Sequence, residues 1–135
     1  MSHYLLDMNH LSPLVTTDHP LQAKIFVTAD TFAVTAPVLN EFLFGIRSLP
    51  RAQQNVNTWN KIKADFVYYP VDEVDAELAA DLRITLMRKG RQLGLVDSFV
   101  AGIALRHNLT LLTTDKDFLA VPNLKQENWI VRLVP

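Results

Sequence analysis

The chain has 135 residues, no cysteine, and thirteen Lys plus Arg against fourteen Asp plus Glu, a formal net charge of -1. That length fits one domain, residues 1–135, burying roughly two thirds of the surface its unfolded chain exposes. The missing cysteines exclude a disulfide framework and thiolate metal sites, and the balanced charge withholds the bulk signature of a nucleic-acid binder.

The N-terminus, MSHYLLDMNH, has neither a basic leader nor a signal-length apolar stretch. No run approaches the roughly 20 apolar residues a membrane helix needs, so a soluble, cytoplasmic protein with no membrane partner is expected. The first strand is predicted at HYLL, 3 to 6, followed by a short helix over His10 to Val15 with Asn9 as its N-cap, and a second helix over Leu21 to Ala29. TFAVT at 31 to 35 reads as a strand. Pro37 to Arg47 follows as a helix opened by its proline, and Leu49 to Lys63 continues after the break at Pro50. FVYYPV at 66 to 71 is the next strand. Asp75 to Lys89 reads as an amphipathic helix stopped by Gly90, with Leu78, Leu82, Ile84 and Leu86 for its buried side. A last helix, Leu95 to His107, ends near Asn108, and strands are predicted at LTLLT, 109 to 113, and WIVRLV, 129 to 134. Alternation of strands and helices predicts an α/β domain with a mostly parallel central sheet flanked by helices, its apolar strands suited to burial on both faces.

The acids give this frame its chemistry. Asp7 directly follows YLL and Asp115 follows LTLLTT, so both are expected at carboxyl ends of strands, where open α/β sheets bind ligands. Glu41 lies one turn into the helix after TFAVTA, and Asp97 in the first turn of the helix from Leu95. Each alone has a bland reading: a turn for Asp7, Asp115 and Asp117, a solvated helix acid for Glu41, a helix-dipole partner for Asp97. Together they converge if both helices start at the same rim. Two carboxylates about 4 Å apart repel by roughly 4 kcal/mol at an effective dielectric near 20, so protonation or a cation must relieve the cluster. Oxygen ligands without Cys or a helical His pair suit Mg²⁺ or Mn²⁺ better than Zn²⁺, and such a centre suits phosphodiester hydrolysis.

The segments YLLDMN at 4 to 9, APVLNEFLFG at 36 to 45, GRQLGLVDSFVAGIALRHNLTLLTTDKDF at 90 to 118 and LAVPNLKQENW at 119 to 129 resemble the PIN-domain ribonucleases, and among them the VapC-like toxins of toxin-antitoxin pairs. The resemblance covers nearly the whole chain and is weakest from 50 to 75. It implies a PIN-like fold, Mg²⁺- or Mn²⁺-dependent endoribonuclease activity on RNA, a homodimer, and an antitoxin that occupies the active groove. Carried over by position, Asp7, Glu41, Asp97 and Asp115 match the acidic quartet, with Asp7 and Asp97 holding the principal metal and Glu41 and Asp115 acting through water or a second ion. Asn9 and Thr113 match supporting polar positions, and Asp117 is an adjacent substitute for Asp115. Met8 departs from the small hydroxyl residue usual between the first Asp and Asn, which takes away one hydrogen bond near the metal.

Arg47, Arg88, Lys89, Arg91 and Lys116 are candidates for phosphate contacts around the acids, although cations at a helix C-terminus explain RKGR equally well. Gly45 offers either a close backbone approach or a packing position. The four histidines show no metal-ligand spacing and receive no role. Trp59, Tyr68, Tyr69 and Trp129 are read as packing residues rather than base-stacking ones. A phosphatase or phosphoryl-carrier domain would ordinarily need a second Asp in the DMN motif or a well-placed Lys near the acids, and DMN supplies no acid partner at the usual position. A catalytically silent PIN-like binding or scaffold module is the other competing reading, and metal binding separates it from the nuclease.

Overall fold

The computed structural model describes residues 1–16 and 18–130. The elements run β1 (His3–Leu6), α1 (Met8–Leu11), α2 (Pro13–Thr16), α3 (Pro20–Phe26), β2 (Thr31–Thr35), α4 (Ala36–Ser48), α5 (Ala52–Ile62), β3 (Val67–Tyr69), α6 (Glu73–Arg88), α7 (Leu95–Arg106), β4 (Thr110–Leu112) and β5 (Gln126–Glu127), with 3₁₀ turns at Lys63–Asp65 and Lys116–Ala120. The strands form one five-stranded sheet in the order β3-β2-β1-β4-β5, and every pairing is parallel. Among the described residues the sheet is therefore wholly, not merely mostly, parallel. Leu5, Leu6, Leu111 and Leu112 of the central strands are fully buried, because helices cover the sheet and leave those strands no solvent face.

The strand order reverses between β1 and β4. At such a switch point the chains leave the two strands in opposite directions and open a crevice at their carboxyl ends. Asp7 follows β1 and Thr113 follows β4 at this crevice, and the Asp7 backbone N–H donates to the Leu112 carbonyl at 3.0 Å. α4 starts directly on the end of β2, with Thr35 as its N-cap residue. α6 packs antiparallel against α7 with Gly102 facing it, where a Cβ would make an ordinary van der Waals contact with the Leu78 Cβ at 3.5 Å. Arg106 at the end of α7 bonds Asp72 and Asp75 at the start of α6.

Several sequence expectations shift. Asn9 is not the first N-cap: Asp7 takes that position, in extended backbone with its carboxylate accepting from the Met8 N–H, so the helix starts at Met8 and is split before Pro13. His19 caps α3. α6 begins at Glu73 because Asp72 and Asp75 form a reciprocal capping box, and it ends as predicted at Gly90, whose φ is +73°. Ile84 is exposed rather than buried, the inner face of α6 being carried by Asp75, Ala79 and Leu86. β3 is an edge strand with Val67 and Tyr68 exposed, so burial on both faces does not extend to it. The final strand lies at Gln126–Glu127, a polar pair paired only through its backbone. Trp129 and Ile130 are not in a strand, and the remainder of the predicted WIVRLV strand, 131 to 134, lies outside the described residues.

Candidate active site

Asp7 is buried at the end of β1. Its Oδ1 accepts from the Met8 backbone N–H at 2.8 Å. Its Oδ2 accepts from the Thr113 hydroxyl at 2.7 Å and from Asn9 Nδ2 at 3.3 Å. Met8 thus contributes through its main chain while its side chain is partly exposed. Thr113 joins the two central strand ends: besides donating to Asp7, its Oγ1 accepts from the Asp115 N–H at 3.0 Å and from Asn9 Nδ2 at 3.3 Å. Asp115 in turn caps the following 3₁₀ turn, Oδ1 accepting from the Asp117 N–H at 2.9 Å.

Asp97 sits half-buried in the first turn of α7, after Gly94. Carboxylate oxygens of Asp97, Asp115 and Asp117 lie within 4.8 Å of one another. Burial pushes Asp97 up to about 6, and the negative charges of Asp7, Asp115, Glu41 and Asp117 add to the shift. All four quartet positions therefore share one electrostatic neighbourhood, although Glu41 is exposed on the rim. Asp117, for which sequence favours a simple turn role, also brings its carboxylate into the cluster. This is a donor set of hard oxygens under like-charge repulsion, and it fits a hard divalent cation.

The basic candidates are spread more widely. Lys116 lies between Asp115 and Asp117 and lines, with Asp115, Leu119, Gln126, Glu127 and Asn128, a recess of about 230 Å³. Arg47 lines a recess with Trp59 and Phe66 on the α4–α5 side, and Arg91 lines another with Ile84 and Met87. Arg88 and Lys89 end α6, in keeping with cations at a helix C-terminus. Among the described residues, none of these five makes an ion pair. A Cβ at Gly45 would meet nothing within 4 Å, so neither role read for that glycine holds.

One residue without a sequence signal enters the site. His10 is fully buried. Its Nδ1 lies 2.7 Å from Asn9 Oδ1, and its Nε2 accepts from the Trp129 N–H at 3.0 Å. Burial, then the charges of His19 and Lys24, push it down to about 4, so the ring is neutral at pH 7. Its spacing from Asp7 is no ligand pattern, and only its burial discloses it. The aromatic residues pack as expected: Trp59 lies edge-on to Phe42 with centroids 5.0 Å apart, and Trp129 edge-on to Tyr4 at 4.8 Å. Tyr68 is half-exposed at the sheet edge.

Residues 4–124 match the PIN domain family. Among similar proteins, Ribonuclease VapC2 of Rickettsia felis is 28% identical over 136 residues, covering 93% of this chain and 97% of its own. Among solved structures, VapBC2 of Rickettsia felis, bound to a DNA fragment from its promoter, superposes with a TM-score of 0.82 at 24% identity, over 95% of this chain and 99% of the other. VapBC-5 of Mycobacterium tuberculosis, a member of the VapBC family of toxin-antitoxin systems, gives 0.69 at 24% identity over 97% of this chain and all of the other.

Proposed function

The chain belongs to the PIN-domain family, and on that premise we propose that it is a metal-dependent endoribonuclease, the toxin of a toxin-antitoxin pair. The observation that carries this reading is geometric: carboxylate oxygens of Asp97, Asp115 and Asp117 lie within 4.8 Å of one another, and Thr113 ties buried Asp7 to Asp115 at the sheet's switch point. Its relative in Rickettsia felis is named a ribonuclease, and one structural neighbour is a member of the VapBC family of toxin-antitoxin systems.

Asp7 and Asp97 would hold the principal cation, Mg²⁺ or Mn²⁺, while Glu41 and Asp115 would orient waters or hold a second ion, with Asp117 as an accessory. The cation supplies neutralising charge at the phosphoryl oxygens and makes a water acidic enough to serve as nucleophile near neutral pH. The chain's own part is positioning. Thr113 and the Met8 N–H fix the Asp7 carboxylate, and burial with the surrounding acids holds Asp97 up at about 6, a like-charge strain that a bound cation would relieve. Water would form the new bond to phosphorus as it gives up a proton to a neighbouring carboxylate, and the bond to the leaving ribose oxygen would break as that oxygen takes up a proton from solvent. Lys116 on the rim, with Arg47, Arg88, Lys89 and Arg91 farther out, provides phosphate contacts for RNA. Exposed Phe44, Met87, Leu95 and Leu119 supply apolar surface for the antitoxin and for a homodimer. Among the described residues no helix is long and apolar enough to cross a membrane, and the protein acts in the cytoplasm.

The test is cleavage of total RNA by antitoxin-free protein with Mg²⁺, with Mn²⁺ and with chelator, beside Asp97→Asn. Discrete fragments that require metal and vanish in the variant are expected. Cleavage unchanged in a folded Asp97→Asn protein would reject the assignment, and metal-independent silence of the wild type would move it to the binding module.

A further inference from the structure

A chain of hydrogen bonds runs from the C-terminal segment into the acidic centre, and its polarity is fixed by two main-chain donors. The Thr114 N–H donates to Asn9 Oδ1 at 3.1 Å. A backbone N–H can only donate, so Asn9 presents its oxygen to Thr114 and its Nδ2 to Asp7 Oδ2 and Thr113 Oγ1. The Trp129 N–H donates to His10 Nε2 at 3.0 Å, which makes that nitrogen an acceptor. His10 Nδ1 faces Asn9 Oδ1 at 2.7 Å, an atom that only accepts, so Nδ1 carries the proton. Both ends of the imidazole thus agree on one neutral tautomer.

We propose that His10 is a positioning residue for the metal centre: held in its Nδ1–H tautomer by the Trp129 amide, it fixes Asn9, which in turn orients the Asp7 carboxylate. The lone-pair count shows what this achieves. Asp7 Oδ2 accepts from Thr113 and Asn9, which commits both of its lone pairs, whereas among the described residues Oδ1 accepts only from Met8. One lone pair of Oδ1 is left for a cation. The Trp129 end is itself anchored. Its indole packs on Tyr4 and Phe32, Lys24 Nζ sits 4.3 Å from the ring centroid, and the indole N–H donates to Glu127 Oε1 at 3.0 Å. The segment after β5 is thereby wired to the first acid through a single buried ring. The metal part of this inference rests on the nuclease reading, whereas the tautomer and the Asn9 orientation do not.

Two measurements test it. Long-range ¹H–¹⁵N correlation of the histidine rings in the wild-type protein at neutral pH should show His10 protonated at Nδ1 with Nε2 as acceptor. Protonation at Nε2, or averaging between tautomers, would overturn the proposal without any variant having to fold. Mn²⁺ binding, followed by electron paramagnetic resonance, then compares wild type, His10→Leu and His10→Gln. The leucine should weaken Mn²⁺ about 10-fold or more, the usual effect of losing an outer-shell partner. Glutamine, which can donate to Asn9 Oδ1 and accept from the Trp129 N–H, should restore most of it. A leucine variant that loses thermal stability yet binds Mn²⁺ like wild type would make His10 a core residue only, and would overturn the positioning role. A wild type that binds no Mn²⁺ would sink the nuclease reading, and the nitrogen spectrum would still decide the tautomer.

Discussion

At the scale of single residues, the site is an acid cluster whose cost and use are the same thing. Asp97 is raised from the ordinary 3.8 to about 6 by burial and by the neighbouring acids. In metal-free protein the folded state then holds its proton between those values while the unfolded chain has lost it. Stability from this group is complete below about pH 3.8, declines as pH rises through 6, and leaves a penalty above. Asp97→Asn removes the charge and the penalty, so in chelator it should melt higher than wild type at pH 7.5 and equal to it near pH 4. His10 works in the opposite direction. Its fall from 6.5 to about 4 means stability is lost as pH drops through that window, but it is common to both proteins and cancels in their difference. Differential scanning calorimetry at the two pH values checks this, and an unchanged or lower melting point at pH 7.5 would contradict it. The same variant should lose at least about 100-fold in cleavage, in line with removal of a group stabilising transition-state charge. Thr113→Val is a second residue-scale case. It keeps the shape but strips the hydroxyl that serves Asp7, Asn9 and Asp115. We expect about 1–3 kcal/mol of lost stability, as for buried groups left without a partner. Mn²⁺ affinity should fall about 10-fold as well. Urea melts and Mn²⁺ titration measure the two losses on one sample.

At the scale of elements, the legible parts of the sequence were those where apolar period and punctuation agree. β1, β2 and β4 announce themselves as apolar runs, and α6 ends where Gly90 supplies a positive φ that other residues resist. The ends that shifted did so because a side chain, not the apolar pattern, sets them: Asp7, His19 and Asp72 each accept from the first turn of their helix. β5 has no apolar signal because Gln126 and Glu127 join the sheet by backbone alone. Asp117 reads from sequence as a turn residue or a substitute for Asp115, and the 3₁₀ turn instead brings its carboxylate in beside those of both Asp115 and Asp97. The α6 cap carries a prediction of its own. Asp75 is buried, accepts from the Asp72 N–H at 3.0 Å and contacts Arg106 at the end of α7. That contact lies about 13 Å along α7 from Asp97, at roughly 1.5 Å per residue. Asp75→Ala should therefore cost about 1–3 kcal/mol through the lost cap and unpaired groups, with cleavage per folded molecule unchanged. A fall in specific activity of fully folded variant would show that the α6–α7 seam reaches the acids.

At the scale of the whole molecule, fold and site are one arrangement seen twice. An all-parallel sheet ordered β3-β2-β1-β4-β5 delivers the ends of β1 and β4 side by side, while α4 starts from the end of β2 and α7 runs back toward the start of β4. Acids from the beginning, middle and end of the chain meet only because of that order, which is why the sequence yields the candidates while their convergence needs the topology. The repulsion they create is distributed over every element that holds one of them, so its relief should be felt by the entire domain. A cation binding the folded state alone stabilises it by RT ln(1 + [L]/Kd), about 2.7 kcal/mol at 100 times Kd. For a domain between the small and mid-sized classes that is a rise of roughly 8 °C in melting temperature. Mn²⁺ should thus raise Tm by about that much in wild type at pH 7.5 and by little in Asp97→Asn, whose starting point without metal is already higher. The two melting curves should approach one another as Mn²⁺ is added. Parallel curves, with the same metal-induced rise in both proteins, would place the cation elsewhere and leave the acid cluster as a costly surface feature.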